Sequence, residues 1–248
     1  MTQFSMQLYS ARKFPPLSET LKQLAELGYA EVEGFGGLYS DLDGLVAGLK
    51  ENGLKMTSGH FSLEALEDDV EGCIEIAKAT GMKSMYCPAV PQEERTKDAD
   101  GWTALGARLQ AASKPYVAAG FKFGWHNHAF EFVPCADGSI PLDLMFGACP
   151  DLTWEVDVAW IIRGEADPIA FINKYADRIN SVHLKDIAPD GECEDEDGWA
   201  DVGHGVIDWA PIMAALSKSN VDHYVMEHDN PNDMERFARR SLASAQKL

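Results

Sequence analysis

Basic residues are scarce in this chain of 248 residues, where 21 Lys and Arg stand against 40 Asp and Glu for a formal net charge of −19. Binding a nucleic-acid backbone needs cations that neutralise phosphates, so the balance argues against a nucleic-acid partner. Cysteines are few: Cys73, Cys87, Cys135, Cys149 and Cys193 are widely spaced, with no Cys-x-x-Cys pair. That spacing argues against a disulfide framework or a thiolate zinc knot. No apolar run approaches the roughly 20 residues that span a bilayer, and the opening MTQFSMQLYSARKF lacks the order of a secretion signal. These absences predict a cytoplasmic protein with no membrane partner. An interdomain linker is missing too, so residues 1–248 are expected to form one domain, with apolar content of 46% sufficient for a sizeable core.

What is present alternates. Short β-branched or aromatic runs are expected as strands at Phe4–Ser10, Tyr29–Phe35, Lys55–Phe61, Lys83–Ala89, Phe121–His128, Leu152–Trp160, Ile179–Asp186 and Tyr224–Asn230. Between them lie helical patterns such as LSETLKQLAELG, VEGCIEIAKATG and WTALGARLQAASKPYVAAG, each closing on a glycine suited to a helix C-terminus. Asp167-Pro168 reads as a cap followed by proline in the first turn. Eight strand–helix units in a chain of this length predict an α/β fold, a single (β/α)₈ TIM barrel. One segment breaks the rhythm. Residues 187–207 are long for a connection and contain DGECEDEDGW, with six acids in the eight residues before Gly198. They read either as a solvated acidic loop or as a lid beside the site.

Barrel enzymes assemble their sites at the C-terminal ends of the strands, so polar residues that terminate apolar runs are the candidates. Here they are His60; His126, His128 and Glu131; Asp157; His183, Lys185 and Asp186; and Glu227, His228 and Asp229. Five of the seven histidines fall at such ends. Strand alternation places Asp157 on one face with Glu155, His183 with Lys185, and Glu227 with Asp229. An inward Asp, His and Glu from consecutive strands suits one divalent ion, Mn²⁺, Mg²⁺, Co²⁺ or Zn²⁺. Without an ion, the carboxylates would repel one another. Other readings stay open: Glu33 belongs either to the mouth or to a surface turn at EGFGG, His60 to the site or to the barrel packing, and Lys185 to the substrate or to a pair with Asp157 or Asp186. His204 and His223 read as structural or exposed.

Taken in order, WHNHAFEF, WEVDVAW, GEADP, VHLKD, VGHGVIDW and VMEHD resemble the sugar phosphate isomerase/epimerase family of xylose-isomerase-like barrels, with GYAEVEGFG and SGHF agreeing more loosely. The resemblance implies a metal held by two glutamates, an aspartate and a histidine, which map onto Asp157, His183, Glu227 and, on the fifth strand, Glu131. This chain departs from the better-known epimerases there: His126-Asn127-His128 occupies the place of their in-strand glutamate, so His126 or His128 could ligate instead. The implied chemistry is proton transfer beside a carbonyl through an enediolate whose charge the metal stabilises. Glu227 is the expected proton-transfer residue, with Glu131 or His128 on the opposite side of the sugar. Lys185 is expected on a substrate oxygen, and His60, His126, Glu33 and Asp229 around the substrate.

The expected activity is therefore a sugar isomerase or epimerase. A lyase of the inosose-dehydratase or keto-glycoside-cleaving kind is the alternative, and a non-catalytic barrel is disfavoured by the intact Asp157, His183 and Glu227. No glycine-rich cationic cradle follows the last strands, which favours a neutral sugar over a phosphorylated one. A homo-oligomer is compatible with the sequence.

Overall fold

Each apolar run forms a strand: β1 (Phe4–Gln7), β2 (Glu31–Gly34), β3 (Lys55–His60), β4 (Ser84–Cys87), β5 (Lys122–His126), β6 (Thr153–Asp157) and β7 (Ile179–Leu184), then, after a two-stranded hairpin of β8 (Asp186–Ile187) and β9 (Trp199–Ala200), β10 (His223–Met226). The computed structural model describes residues 3–95 and 98–248. Its eight main strands pair in parallel and close in the order β1-β10-β7-β6-β5-β4-β3-β2, a TIM barrel with helices around it. None of the described helices is long and apolar enough to cross a membrane.

Several expected strands stop early, each for a local reason. The run expected to reach Trp160 ends at Asp157, because that carboxylate accepts from Trp160 N at 2.9 Å and caps the helix Val158–Arg163. The first run ends at Gln7, whose side chain accepts from Tyr9 N and opens a 3₁₀ turn at Leu8–Ala11. Glycines close helices as expected after Leu17–Leu27 and Val70–Thr80, where Gly28 and Gly81 take φ of 99° and 84°.

The barrel interior is polar rather than filled with branched apolar side chains. Gln7, Glu33, Ser58, Glu155, Ser181 and His183 are all buried, and hydrogen bonds connect strands across the lumen, such as Asn180 Nδ2 to the Tyr86 hydroxyl at 2.7 Å. Apolar strand residues such as Val32, Met56, Trp154, Val156, Val182 and Met226 join the hydrophobic core instead. Parallel register slips at two places, between Val32 and Glu33 against β3 and between Trp154 and Glu155 against β7. Both slips sit beside a buried glutamate, and a bulge is a means of re-aiming a side chain.

The acidic segment is anchored. Asp186 accepts from Ile187 N and Ile207 N through Oδ1, and from Gly203 N and Trp209 Nε1 through Oδ2, at 2.9–3.2 Å. Glu196 is buried and paired with Arg236 at 2.7 Å. The six acids therefore do not form a uniform solvated loop.

Candidate metal centre

His126, Asp157, His183 and Glu227 are all buried, and one ligand atom from each lies within 4.8 Å of the others. They come from β5, β6, β7 and the first residue after β10, four neighbours in the barrel wall. A second group, His60, His126, Glu155 and His183, meets the same distance limit and shares two residues with the first. His183 stands between them. Its Nδ1 lies 2.8 Å from Glu227 Oε2, while Nε2 lies 2.8 Å from Glu33 Oε1 and 3.1 Å from Glu155 Oε2.

Glu131 lies elsewhere. Its carboxylate accepts from Trp125 Nε1 at 2.8 Å and from His128 N at 2.9 Å, which uses both oxygens to hold the turn after β5. It belongs to neither donor group among the described residues, and His126 takes the strand 5 position. Asn127, between the two histidines, points the other way: its amide accepts from Trp154 Nε1 and Asp157 N at 2.9 Å and donates to Asp157 O at 3.0 Å. The Asn thus locks β5 to β6 and sets the position of Asp157.

Electrostatics follow from burial and carboxylate crowding. Burial opposes charge on His183, yet Glu155, Glu227 and Glu33 hold its pKa well above the ordinary value. His60 is pushed up to about 10, against its burial, by Glu33 and Glu155. Glu33 lies well below the carboxylate range despite burial, because His60 and His183 face it. Burial pushes Asp157 up to about 7, with Lys185 opposing, and pushes Glu131 up to about 8. Burial also lowers the imidazoles of His126 and His128, the latter to about 3, so both are neutral.

Lys185, expected on a substrate oxygen, is fully buried and paired with carboxylates. Its ammonium lies 2.6 Å from Asp229, 3.1 Å from Glu227 and 3.7 Å from Asp157, and stands over the rings of Trp199 and Trp160 at 4.6 and 5.1 Å. Of the two partners open to it in the sequence, Asp157 is near and Asp186 is not, since Asp186 accepts from three backbone amides and Trp209 Nε1 instead. Glu33 is no surface turn: it is buried in the lumen and accepts from Gln7 Nε2 at 2.8 Å. His223 is half-buried, with Nε2 at 3.1 Å from Ser58 Oγ and Nδ1 at 3.3 Å from Glu31.

Two buried atoms of the first group lack hydrogen-bond partners, His126 Nδ1 and Asp157 Oδ2. Buried polar atoms are normally satisfied. Two such orphaned atoms within a set of two imidazoles and two carboxylates fit a divalent ion. Above the group opens a cavity of about 470 Å³ with His60, His126, His128, Trp160, Glu227 and Asp229 in its wall. Trp160 Nε1 is another buried donor without a partner. Sequence reasoning placed Glu155 on the right face without assigning it a role, and missed Gln7, Asn127 and Trp160. Only Glu155 carried a signal, its parity with Asp157.

A closed parallel barrel with a cavity and a candidate ion site at the C-terminal ends of its strands defines the class of protein. The chain belongs to the xylose isomerase-like TIM barrel family, whose family model matches residues 21–248. Among curated proteins it is similar to an inosose dehydratase of Geobacillus kaustophilus, 28% identical over 245 residues, covering 84% of this chain and 78% of that one. Among solved structures it superposes on a sugar phosphate isomerase/epimerase from Parabacteroides distasonis with a TM-score of 0.82 at 20% identity, over 99% of this chain and 93% of that one. The IOLI protein, crystallised with a zinc atom, gives 0.76 at 16% identity, over 99% and 96%. At these identities the two structures speak for the fold.

Proposed function

We propose that this chain is a divalent-metal-dependent enzyme that removes water from an uncharged cyclic keto-polyol through an enediolate. The observation that carries the reading is the buried set of His126, Asp157, His183 and Glu227, of which His126 and Glu227 reach the cavity wall. In this reading these four hold the ion, with His126 in the place first expected for Glu131. When bound, the ion supplies positive charge to the oxygen that becomes negative as the neighbouring C–H proton leaves.

The remaining roles belong to the chain itself. Environments that drive two titratable groups apart mark an acid and a base, and the cavity holds such a pair. His128 is neutral with an unpartnered Nδ1, and His60 is held as a cation by Glu33 and Glu155. His128 takes the proton from the carbon beside the carbonyl. The electron pair then moves to break the β C–O bond, and His60 donates the proton with which the hydroxyl departs as water. Glu33 and Glu155, behind the Nε2 of His183, fix the tautomer that presents Nδ1 to the ion. Trp160 offers an indole N–H to a ring hydroxyl. Glu227, held low by Lys185 and His183 despite burial, is a ligand rather than a base.

The relatedness to inosose dehydratases supports elimination over isomerisation. Isomerisation or epimerisation on the same enediolate is the second reading, supported by the fold shared with the Parabacteroides protein. Incubation of the metal-loaded protein with a panel of inososes, ketoses and 3-keto-glycosides in deuterated water separates the two. Dehydration gives a product lighter by one water; isomerisation returns the full skeleton with deuterium on carbon. Recovery of unlabelled, unchanged substrate throughout the panel would refute both.

A further inference from the structure

The acidic segment delivers one carboxylate to the cavity, that of Asp197. Its backbone is in the left-handed region, φ 59° and ψ 26°, unusual for any residue but glycine and followed by Gly198 at φ 69°. Such conformations persist where the surroundings over-determine them, and here they do. Arg163 Nη2 donates to Asp197 O at 2.8 Å, and the same guanidinium lies 3.2 Å from the centre of the Trp199 ring. Trp199 meets Trp160 edge to face at 4.8 Å, so the clamp runs into the cavity wall. On the other side the preceding residue, Glu196, is buried against Arg236. The backbone is thus fixed from both directions, while the Asp197 side chain is exposed and makes no hydrogen bond among the described residues, the Arg163 guanidinium being its nearby opposite charge. Neighbouring Asp195, by contrast, is bonded to Asn232.

Charge around the cavity points the same way. Asp197, Asp229 and Glu227 share its wall with two cations: Arg12, whose guanidinium donates to Tyr9 O at 2.9 Å and lies over the Tyr9 ring, and His60, already paired with Glu33 and Glu155. Lys185 is consumed by its three carboxylates.

We propose that Asp197 is a specificity-determining residue: its carboxylate accepts hydrogen bonds from hydroxyls of an uncharged cyclic polyol, away from the reacting carbon, and repels the phosphorylated analogue. This rests on the keto-polyol reading above. A hydrogen bond to a charged acceptor is worth about 1.5–3 kcal/mol, roughly a 10- to 150-fold effect on affinity.

The test is calorimetric titration of the metal-loaded full chain with two unreactive probes, myo-inositol and myo-inositol 1-phosphate. Wild type is expected to favour inositol at least about 10-fold. Asp197→Ala should weaken inositol about 10- to 100-fold and narrow the gap between probes, while Asp197→Asn should narrow the gap chiefly by strengthening the phosphate. Asp195→Asn, in the same segment, should leave both affinities unchanged. Equal binding of the probes by wild type, binding of neither, or unchanged affinities in Asp197→Ala overturns the proposal. If wild type binds inositol as expected yet transforms no keto-polyol, the reaction assigned above fails and the role of Asp197 stands.

Discussion

Replacing Asp186 should release the segment that carries Asp197 and Trp199. Its two oxygens divide four donors evenly: Oδ1 takes Ile187 N and Ile207 N, and Oδ2 takes Gly203 N and Trp209 Nε1. Asp186 itself is fully buried. Each bond to a charged acceptor is worth about 1.5–3 kcal/mol, but bonds sharing one acceptor are not additive. Asp186→Ala should therefore cost about 4 kcal/mol, and lower Tm by about 10 °C for a chain of this size. Asparagine should rescue little, because its amide oxygen serves one pair of donors while its NH₂ group confronts the other pair. Urea unfolding gives the stability, and hydrogen exchange at the Gly203 and Ile207 amides shows whether the loss is local. A loss under about 1 kcal/mol with unchanged protection would refute the reasoning.

Three further outcomes follow from the same geometry. Gly205→Ala should be nearly as damaging as Asp186→Ala in the same unfolding assay, since a Cβ there would lie 2.2 Å from Ile187 O and 2.3 Å from Asp186 Oδ1. Glu33→Gln should weaken ion binding about 10- to 100-fold by equilibrium dialysis, because Glu33 orients His183 from behind. In the pH profile, His60 must keep its proton: its raised value means activity is present below, and falls as pH rises toward, about 10. A nearby divalent ion can only bring that limb lower. His60→Gln should remove the alkaline limb along with most of the rate; an unchanged limb assigns it to another group.

The barrel was legible because its signal is periodic and repeated: eight apolar runs, most of them answered by a helix closing on glycine or opening on a cap, leave few other topologies. Strand ends were less legible. Asp157 shows why, since one residue ends a strand, caps a helix and faces the cavity, and periodicity registers only the first. Parity brought Asp157, His183 and Glu227 to one place, but it applies only inside a strand. Glu131 lies beyond β5, in a turn whose direction depends on its own bonds to Trp125 and His128. Alternation carries no information there, and the nearest carboxylate in sequence was not the nearest in space. Long-range partners such as Gln7 with Glu33, and the anchoring of the acidic segment by Arg236, depend on barrel closure and had no local signature.

Ion stoichiometry tests the central claim most directly. Equilibrium dialysis of the protein against Zn²⁺, Mn²⁺ and Co²⁺ should give one ion per chain, with affinity falling at least about 100-fold in Asp157→Ala, His183→Ala and His126→Ala. Glu131→Gln should keep the ion. Loss of the ion in Glu131→Gln with retention in His126→Ala, or no ion bound by the wild-type chain, would contradict the centre described by these four residues.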